Sequence, residues 1–570
     1  MKRMTEVAAE SESLVLACPP RPEGRWYTLL QPSCLRISVS DHATLRTLTL
    51  RMQSEAHTAL FNEDILREVA QHFRTSRRED VNALGRMALV CRAFSDPALD
   101  VLWRNLESLL PLLNILAISV DLADHAGDVK PPMRQASLTC ISDAQWNRFR
   151  SYARRVRSVQ IHRYMETLHS PVIAQLATRS CGEPLLPSLV SLQFDLISAK
   201  SVSEILAFLS PLLHDVTLQV GSWGLDTSFV TDIGRDFVFA LRCAASSLRH
   251  LTLERFDDPD FMTHTDFTPF SELQTLDIGR CVASFSVLSA CAKMSSLITL
   301  DIGLKGLTVE DIKRCHGFPV LENLSVHSHP SQATALLPML STTVLRSFTY
   351  IDQAYHDRFL RARQDLGNYR VMLAALHSKS AATIRGVYFT IAVFDDVSTP
   401  SLMSVIDPLL DFRVLEELRI DSSLAVSVTS DDVCRMAFSW PNIQTLDFSV
   451  YQGSVSPSVY SLTEFAQWCP YLIFLKLPGL DPRPALPPES EWVSTSSCSL
   501  KGLCVTGRNN VSLDAHYEHG HSIAVARFLN HLFPNMTMEH CVGKEWTDIN
   551  AVLEILQDAA RRGYSGKQSS

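Results

Sequence analysis

Five short stretches of the sequence share one apolar pattern: LRHLTL (residues 248–253), LQTLDI (273–278), LITLDI (297–302), LENLSV (321–326) and LRSFTY (345–350), at intervals of 25, 24, 24 and 24 residues. Each has an apolar residue at its first, fourth and sixth positions. The alternation at the end of each stretch is typical of a short strand with one buried face. The regular period indicates a repeat architecture, because one unit cannot bury its apolar face alone and must stack on the next.

The same apolar pattern recurs along most of the chain. Its first positions are Val156, Leu189, Leu213, Leu248, Leu273, Leu297, Leu321, Leu345, Ile384, Leu415, Ile443, Leu472 and Leu500. These units resemble degenerate leucine-rich repeats. The unit at Leu273 is the fullest, with Cys281 where the family has asparagine or cysteine, whereas Phe256 and Lys305 hold that position in neighbouring units. The resemblance implies an α/β solenoid of strand and helix repeats, with a parallel sheet on its concave face.

A helical stretch precedes the repeats, LFNEDILREVAQHFRTSRREDVNALGRMALVCRAFSDPALDVLWRNL (residues 60–106). It predicts three short helices. Asn62 fits the N-cap of the first, and apolar residues follow at helical spacing. A second apolar face begins at Leu84. Asp96 followed by Pro97 predicts the start of the third helix, because proline suits the first helical position.

This helical stretch resembles an F-box, through Ala88 to Phe94 and Pro97 to Arg104. The resemblance implies a Skp-type adaptor as partner, and through it a cullin. The chain would then be the substrate-recognition subunit of a ubiquitin ligase, with a protein client on the repeats. The implied adaptor-binding residues are Leu60, Phe61, Ile65, Leu66, Val69, Leu89, Val90, Leu99, Leu102 and Trp103. Some of these must fill the core of the module instead, and the sequence does not separate the two groups.

The predicted organisation has five parts. They are a partly disordered N-terminal segment (residues 1–56), the F-box (57–106), a helical connector (107–152), the repeat solenoid (153–510) and a C-terminal helical cap (511–570). The cap is expected because a terminal repeat would otherwise expose its core.

The composition narrows the class of protein. The net charge of −9 argues against a general nucleic-acid binder, which more often has a basic domain. The sequence has no apolar run long enough to span a membrane and no signal peptide. Its 14 cysteines include no C-x-x-C pair, which favours a reducing compartment, the cytoplasm or the nucleus.

The sequence lacks the common motifs for catalysis and specific metal binding, which predicts a protein without catalytic activity of its own. The nucleophile elbow G-x-S-x-G, the phosphate-binding loop and H-E-x-x-H are absent. We therefore expect no catalytic residue and no cofactor. His516, Glu518, His519 and His521 lie close in sequence, but their spacing is not specific for zinc. We interpret them as a solvated turn and predict no metal.

Acidic residues dominate the positions expected on the concave face. In a strand, residues that alternate with the buried ones point to the open side. The predicted client-binding residues are Asp195, Asp215, Glu254, Asp277, Asp301, Glu417, Asp421 and Asp447, against only Arg419 and Lys476. This bias predicts a basic client segment. The alternative is that it merely reflects a chain with 61 acidic and 52 basic residues.

Two other functions remain open. The chain could be a non-catalytic leucine-rich-repeat scaffold that does not bind the adaptor, since Phe61 stands where an F-box usually has proline. It could also be a hydrolase with an unrecognised site that uses His516 or His519. A solenoid fold by itself does not distinguish these two functions from that of a ubiquitin-ligase subunit.

Overall fold

The computed structural model describes residues 62–116, 141–161, 166–196, 205–220, 227–256, 261–262, 265–353, 366–392, 399–492, 498–506, 519–539 and 544–565. The chain divides into two compact units. One comprises residues 1–225 with 239–247, and the other residues 226–238 with 248–570. The predicted segment 1–56 lies outside the described residues.

The first unit begins with the helical module and continues into parallel strands. Its elements are α1 (Glu63–Gln71), α2 (Arg78–Ala88), α3 (Arg92–Arg104), β1 (Asn105–Leu106), α4 (Leu110–Ile115), α5 (Asp143–Ala153), β2 (Ser158–Ile161), α6 (Glu166–Arg179), β3 (Ser191–Leu196) and β4 (Asp215–Val220). Strands β1 to β4 pair in chain order and in parallel. Helix α7 (Thr227–Ala244) contributes to both units.

The second unit carries the remaining strands. Its elements are β5 (His250–Glu254), β6 (Thr275–Ile278), α8 (Phe285–Lys293), β7 (Thr299–Gly303), α9 (Val309–Lys313), β8 (Asn323–Ser328), α10 (Pro330–Leu336), β9 (Ser347–Asp352), α11 (Leu366–Ser380), β10 (Gly386–Ile391), α12 (Met403–Ile406), β11 (Glu417–Val426), α13 (Ser430–Ser439), β12 (Thr445–Gln452), α14 (Leu462–Trp468), β13 (Phe474–Leu477), β14 (Gly502–Val505), α15 (His519–Leu532), β15 (Thr537–Met538) and α16 (Lys544–Ser565). Short 3-10 turns lie at Leu337–Met339, Asp407–Asp411, Val459–Ser461 and Glu489–Glu491.

The repeat pattern predicts these strands correctly. All thirteen first positions of the pattern are buried, and a strand begins two residues after each. Adjacent strands pair in parallel so that Leu276, Leu300, Leu324 and Phe348 are in register. Their side chains form one continuous buried row. The predicted α/β repeat fold with a parallel sheet is therefore confirmed.

Several return segments between strands are helices, as predicted. Helix α8 occupies the predicted range Phe285–Lys293. Thr308 and Asp311 form the expected capping box at the start of α9, in which each side chain binds the other residue's backbone N–H. The C-terminal cap also forms two helices, α15 and α16. None of the helices described is both long enough and apolar enough to cross a lipid bilayer.

The sheet extends beyond the predicted limits of the solenoid. Strand β1 pairs with β2 and lies inside the range expected for the F-box, and β15 pairs with β14 inside the expected cap. Both strands have only two residues, too few for an alternating pattern to be recognised in the sequence.

The third helix begins earlier than the sequence predicts. Asn62 caps α1 as expected, with its Oδ1 accepting from the Asp64 N–H at 2.9 Å. Helix α3, however, begins at Arg92 and contains Pro97 in its interior. The Cys91 carbonyl already accepts the N–H groups of Phe94 and Ser95. Asp96 is therefore not the N-cap that the Asp96-Pro97 pair predicted.

Candidate functional site

The helical module exposes four of the apolar residues predicted to bind the adaptor. Ile65 and Val69, four residues apart and so on one face of α1, are 42% and 47% exposed. Leu89 and Val90, directly after α2, are 44% and 66% exposed. Among the described residues predicted to bind the adaptor, these two pairs are therefore the ones that a partner can reach.

Four other residues of the predicted adaptor face belong to the core of the module. Leu66, Leu99, Leu102 and Trp103 are at most 5% exposed. They cannot contact an adaptor without unfolding the helices, so their assignment to the interface is corrected. The reason is that helices this short must bury their largest side chains against one another and against α5. Leu60 and Phe61 lie outside the described residues.

The module is attached to the first repeats by specific contacts. The rings of Trp103 and Tyr152 pack with their centroids 4.7 Å apart. The Arg155 guanidinium donates to Asp96 Oδ1 at 2.5 Å and also to Asp100. The Arg157 N–H donates to the Arg104 carbonyl at 2.8 Å, next to the pairing of β1 with β2. Helix α3 thus leads directly into the first strand of the sheet.

Two of the predicted client-binding carboxylates lie side by side on the open face of the sheet. Asp277 on β6 and Asp301 on β7 are paired residues in adjacent parallel strands. Each alternates with buried neighbours and is itself half-buried. Adjacent strands are only about 4.8 Å apart, so the two like charges repel each other. Such an arrangement costs stability, which makes it a candidate site.

The surroundings of this pair change its protonation. Partial burial, Asp301 and Glu254 raise the pKa of Asp277 to about 6, against the opposing effects of the Gly279 N–H and of His327. The His327 Nε2 lies 3.0 Å from Asp301 Oδ1. Gly279 leaves the space for this contact, because a Cβ there would overlap both side chains.

Three of the six other acidic residues predicted on this face lie beside cations or hydroxyl groups. Glu417 and Arg419 form an ion pair at 2.5 Å, and Lys476 lies 3.6 Å from Asp447. Asp447 is in register between Arg419 and Lys476, so charges alternate across β11, β12 and β13. Asp215 accepts from the Ser191 hydroxyl at 3.2 Å. The acidic residues are therefore interrupted in β11 and β13 by the two cations, Arg419 and Lys476, that the sequence also placed on this face.

His327 and Gly279 were not identified in the sequence as part of a site. The repeat spacing does include them, since Gly279, Gly303 and His327 follow one another at 24-residue intervals. Gly303 and His327 are indeed in register across β7 and β8. Extending the repeat alignment by one more position on the open face of the sheet would have found them.

The histidine cluster near residue 520 gives no support to a metal site. His521 Nε2 contacts the Pro482 carbonyl oxygen. His516 and Glu518 lie outside the described residues. Within the part of the chain that the structure describes, no three His, Cys, Asp or Glu side chains are grouped suitably for a metal ion.

The comparisons with known proteins match this chain in structure alone. No protein-family model and no curated protein sequence matches it. One similar structure is the leucine-rich repeat-containing protein LegL7 from Legionella pneumophila, with 9% identity, a TM-score of 0.23, and coverage of 46% of this chain and 83% of that one. Another is the mouse RP105/MD-1 complex, with 10% identity, a TM-score of 0.28, and coverage of 56% of this chain and 59% of that one.

The class of protein follows from the repeats of the chain itself. Consecutive parallel strands, buried leucine rows in register and helical return segments define a leucine-rich-repeat fold. This fold presents an extended surface suited to protein partners.

Proposed function

We propose that this chain is the substrate-recognition subunit of a cullin-type ubiquitin ligase. The helical module would bind the Skp-type adaptor, and the repeats would bind a protein client. The observation that carries this proposal is the exposure of Ile65, Val69, Leu89 and Val90 on the stretch that resembles an F-box. Exposed apolar side chains on a small helical module gain free energy when a partner removes them from water.

The attachment of the module supports the same function. A ligase transfers ubiquitin efficiently when the client is held at a defined place relative to the adaptor. The buried Trp103, the Arg155 contacts and the pairing of β1 with β2 fix the module to the first repeats. In this proposal the other subunits carry out the transfer, and this chain supplies position and effective concentration without catalysis of its own.

The client side of the proposal concerns the sheet around Asp277 and Asp301. Of the acidic residues predicted there, this pair lies together, and the neighbouring Glu254 adds to its negative potential. A lysine or arginine from the client would relieve the repulsion between the two carboxylates. The client segment is therefore proposed to be basic.

A second candidate function is an interaction scaffold that does not bind the adaptor. Phe61 at the opening of the motif, where an F-box usually has proline, favours it. Its repeats would bind protein partners in the same way.

The test is adaptor binding by the full-length chain. We expect stoichiometric binding of the purified Skp-type adaptor in size-exclusion chromatography. Replacing Ile65→Glu together with Val90→Glu should weaken it about 100-fold or more, because both substitutions place charge in an apolar interface. Both positions are exposed, so the fold should survive, unlike after truncation of the buried Leu66 or Trp103.

The matched control is Ile555→Glu in α16, where the side chain is 68% exposed but lies outside the module. It should leave adaptor binding unchanged. If the folded wild-type chain does not bind the adaptor, the ligase function is rejected in favour of the scaffold.

A further inference from the structure

Three large aromatic side chains of the second unit are exposed in the segments that precede strands β12 and β13. They lie where the chain leaves a helix and approaches the next strand: Phe438 in the last turn of α13, Trp468 at the end of α14, and Tyr471 before β13. They are 58%, 41% and 59% exposed. In contrast, Trp440 is fully buried and donates from Nε1 to the Leu409 carbonyl at 2.9 Å. The fold can therefore bury an aromatic residue in this region, yet leaves these three outside.

Two of the exposed rings are held in place by contacts. Phe438 and Trp468 meet edge to face, with their centroids 5.7 Å apart. The Arg413 guanidinium lies 5.5 Å from the centroid of the Phe438 ring and donates to the Phe438 carbonyl at 3.1 Å. Fixed rings lose little conformational entropy when a partner binds. Tryptophan, tyrosine and arginine are also the residues most enriched at the energetic centres of protein interfaces.

Two cations and one carboxylate surround these rings. The carboxylate is that of Glu464, four residues before Trp468 in α14, which accepts from the Cys434 Sγ at 3.7 Å. Arg413 and Lys501 have no carboxylate partner within the described residues, whereas the neighbouring Arg385 and Arg435 pair with Glu416 and Asp407. The Lys501 N–H donates to the Ile473 carbonyl at 2.8 Å, which places Lys501 beside the 40% exposed Ile473. An apolar surface with two free cations is complementary to a ligand that is both apolar and acidic.

We propose that Arg413, Phe438, Trp468, Tyr471, Ile473 and Lys501 form a docking surface for an extended acidic and apolar segment of a partner protein. We call these residues the aromatic shelf. The apolar side chains of the segment lie on the rings, and its carboxylates meet Arg413 and Lys501. The aromatic shelf is separate from the open face that carries Asp277 and Asp301, and it selects a ligand of opposite charge. The proposal does not depend on adaptor binding.

The test uses two fluorescein-labelled peptides of equal length, in which leucine and phenylalanine alternate either with aspartate or with lysine. Fluorescence anisotropy with the full-length chain should show binding of the aspartate peptide, and binding about tenfold or more weaker for the lysine peptide. Phe438→Ser combined with Trp468→Ser should weaken binding of the aspartate peptide by about tenfold or more. Arg413→Glu combined with Lys501→Glu should weaken binding of the aspartate peptide to a similar extent, because the new carboxylates repel its aspartates.

The matched control is Phe239→Ser, because this phenylalanine is 65% exposed and lies outside the aromatic shelf. It should leave peptide binding unchanged. The proposal is overturned if neither peptide binds, if both bind equally, or if the shelf variants bind the aspartate peptide as tightly as the wild type does. Circular dichroism of each variant confirms that the fold is retained, which is expected because every substituted side chain is exposed.

Discussion

At the scale of single residues, Gly279 shows how the repeat fold makes room for a contact between side chains. Asp301 and His327 approach each other over the Gly279 Cα, in the space that a side chain would fill. We predict that Gly279→Ala destabilises the second unit by about 1 to 3 kcal/mol, because the added Cβ forces both side chains to move. The midpoint of urea unfolding measures this loss.

Gly386→Ala is the control for this prediction. Its added Cβ would meet only the Ser347 Oγ, at an ordinary distance of 3.6 Å. This substitution should change the free energy of unfolding little. Equal effects of the two substitutions would contradict the role assigned to Gly279.

Asp277 makes the stability of the protein depend on pH. Its pKa is raised to about 6 in the folded chain, from 3.8. The folded state therefore binds this proton more tightly than the unfolded state does. Ionising Asp277 costs stability progressively as the pH rises from about 4 to about 6, and the full cost remains above that range.

We predict that Asp277→Asn stabilises the chain at about pH 8 and has little effect near pH 4. The raised pKa sets an upper limit of about 3 kcal/mol on the gain, which we reduce to about 1 to 2 kcal/mol for partial solvent screening. Urea unfolding at several pH values measures it. Asp447→Asn is the control, because Asp447 lies beside Lys476 and its replacement should give no gain at about pH 8. A gain for Asp277→Asn that does not vary with pH would argue against this explanation.

At the scale of elements, the start of α3 illustrates how tertiary contacts override a local signal. Asp96 and Pro97 together favour a helix start, yet the helix begins at Arg92. Pro97 is buried, and Asp96 instead accepts from Arg155. Burial of the apolar face of α3 outweighs the single backbone hydrogen bond that proline cannot make.

The Arg155 contacts should determine how firmly α3 is held. Its side chain is only 21% exposed and reaches two carboxylates of α3. We predict that Arg155→Ala destabilises the junction by about 1 to 3 kcal/mol, since charged hydrogen bonds are lost and Asp96 and Asp100 are left facing each other's charge. Hydrogen exchange should become faster in α3 and β1.

Arg150→Ala is the control for the junction, because the ion pair of Arg150 with Glu183 is more exposed, at 42% and 67%. Such a surface pair contributes little to stability. Unchanged exchange in Arg155→Ala would show that the packing of Trp103 on Tyr152 and the pairing of β1 with β2 fix the module without Arg155.

At the scale of the whole molecule, each unit has a non-repeating helical part. In the first unit, the helical module leads through α3 into β1. In the second, α15 and α16 bury Phe528, Leu529 and Trp546 after the last repeats. Such terminal parts cover apolar rows that no further repeat would bury.

The fold was largely predictable from the sequence, whereas the sites were predictable only in part. The thirteen leucine, isoleucine and valine positions located thirteen strands, because each must be buried for the repeats to stack. The strands that were missed, β1 and β15, are too short to show a pattern. Of the ten apolar residues predicted to contact the adaptor, the structure exposes four and buries four, while Leu60 and Phe61 lie outside the described residues.

The repeat period, the buried rows and the caps of α1 and α9 could be predicted from the sequence, since these depend on interactions within one helix, within one repeat or between neighbouring repeats of regular length. Which apolar residues of the helical module face outward depends on how the helices pack, because Ile65 and Leu66 are adjacent in sequence and differ in what packs against them. The tertiary structure also decided which carboxylates stay close to one another. Asp447 lies between Arg419 and Lys476, whereas Asp277 lies beside Asp301. Here it is strand register that brings residues more than twenty positions apart into contact.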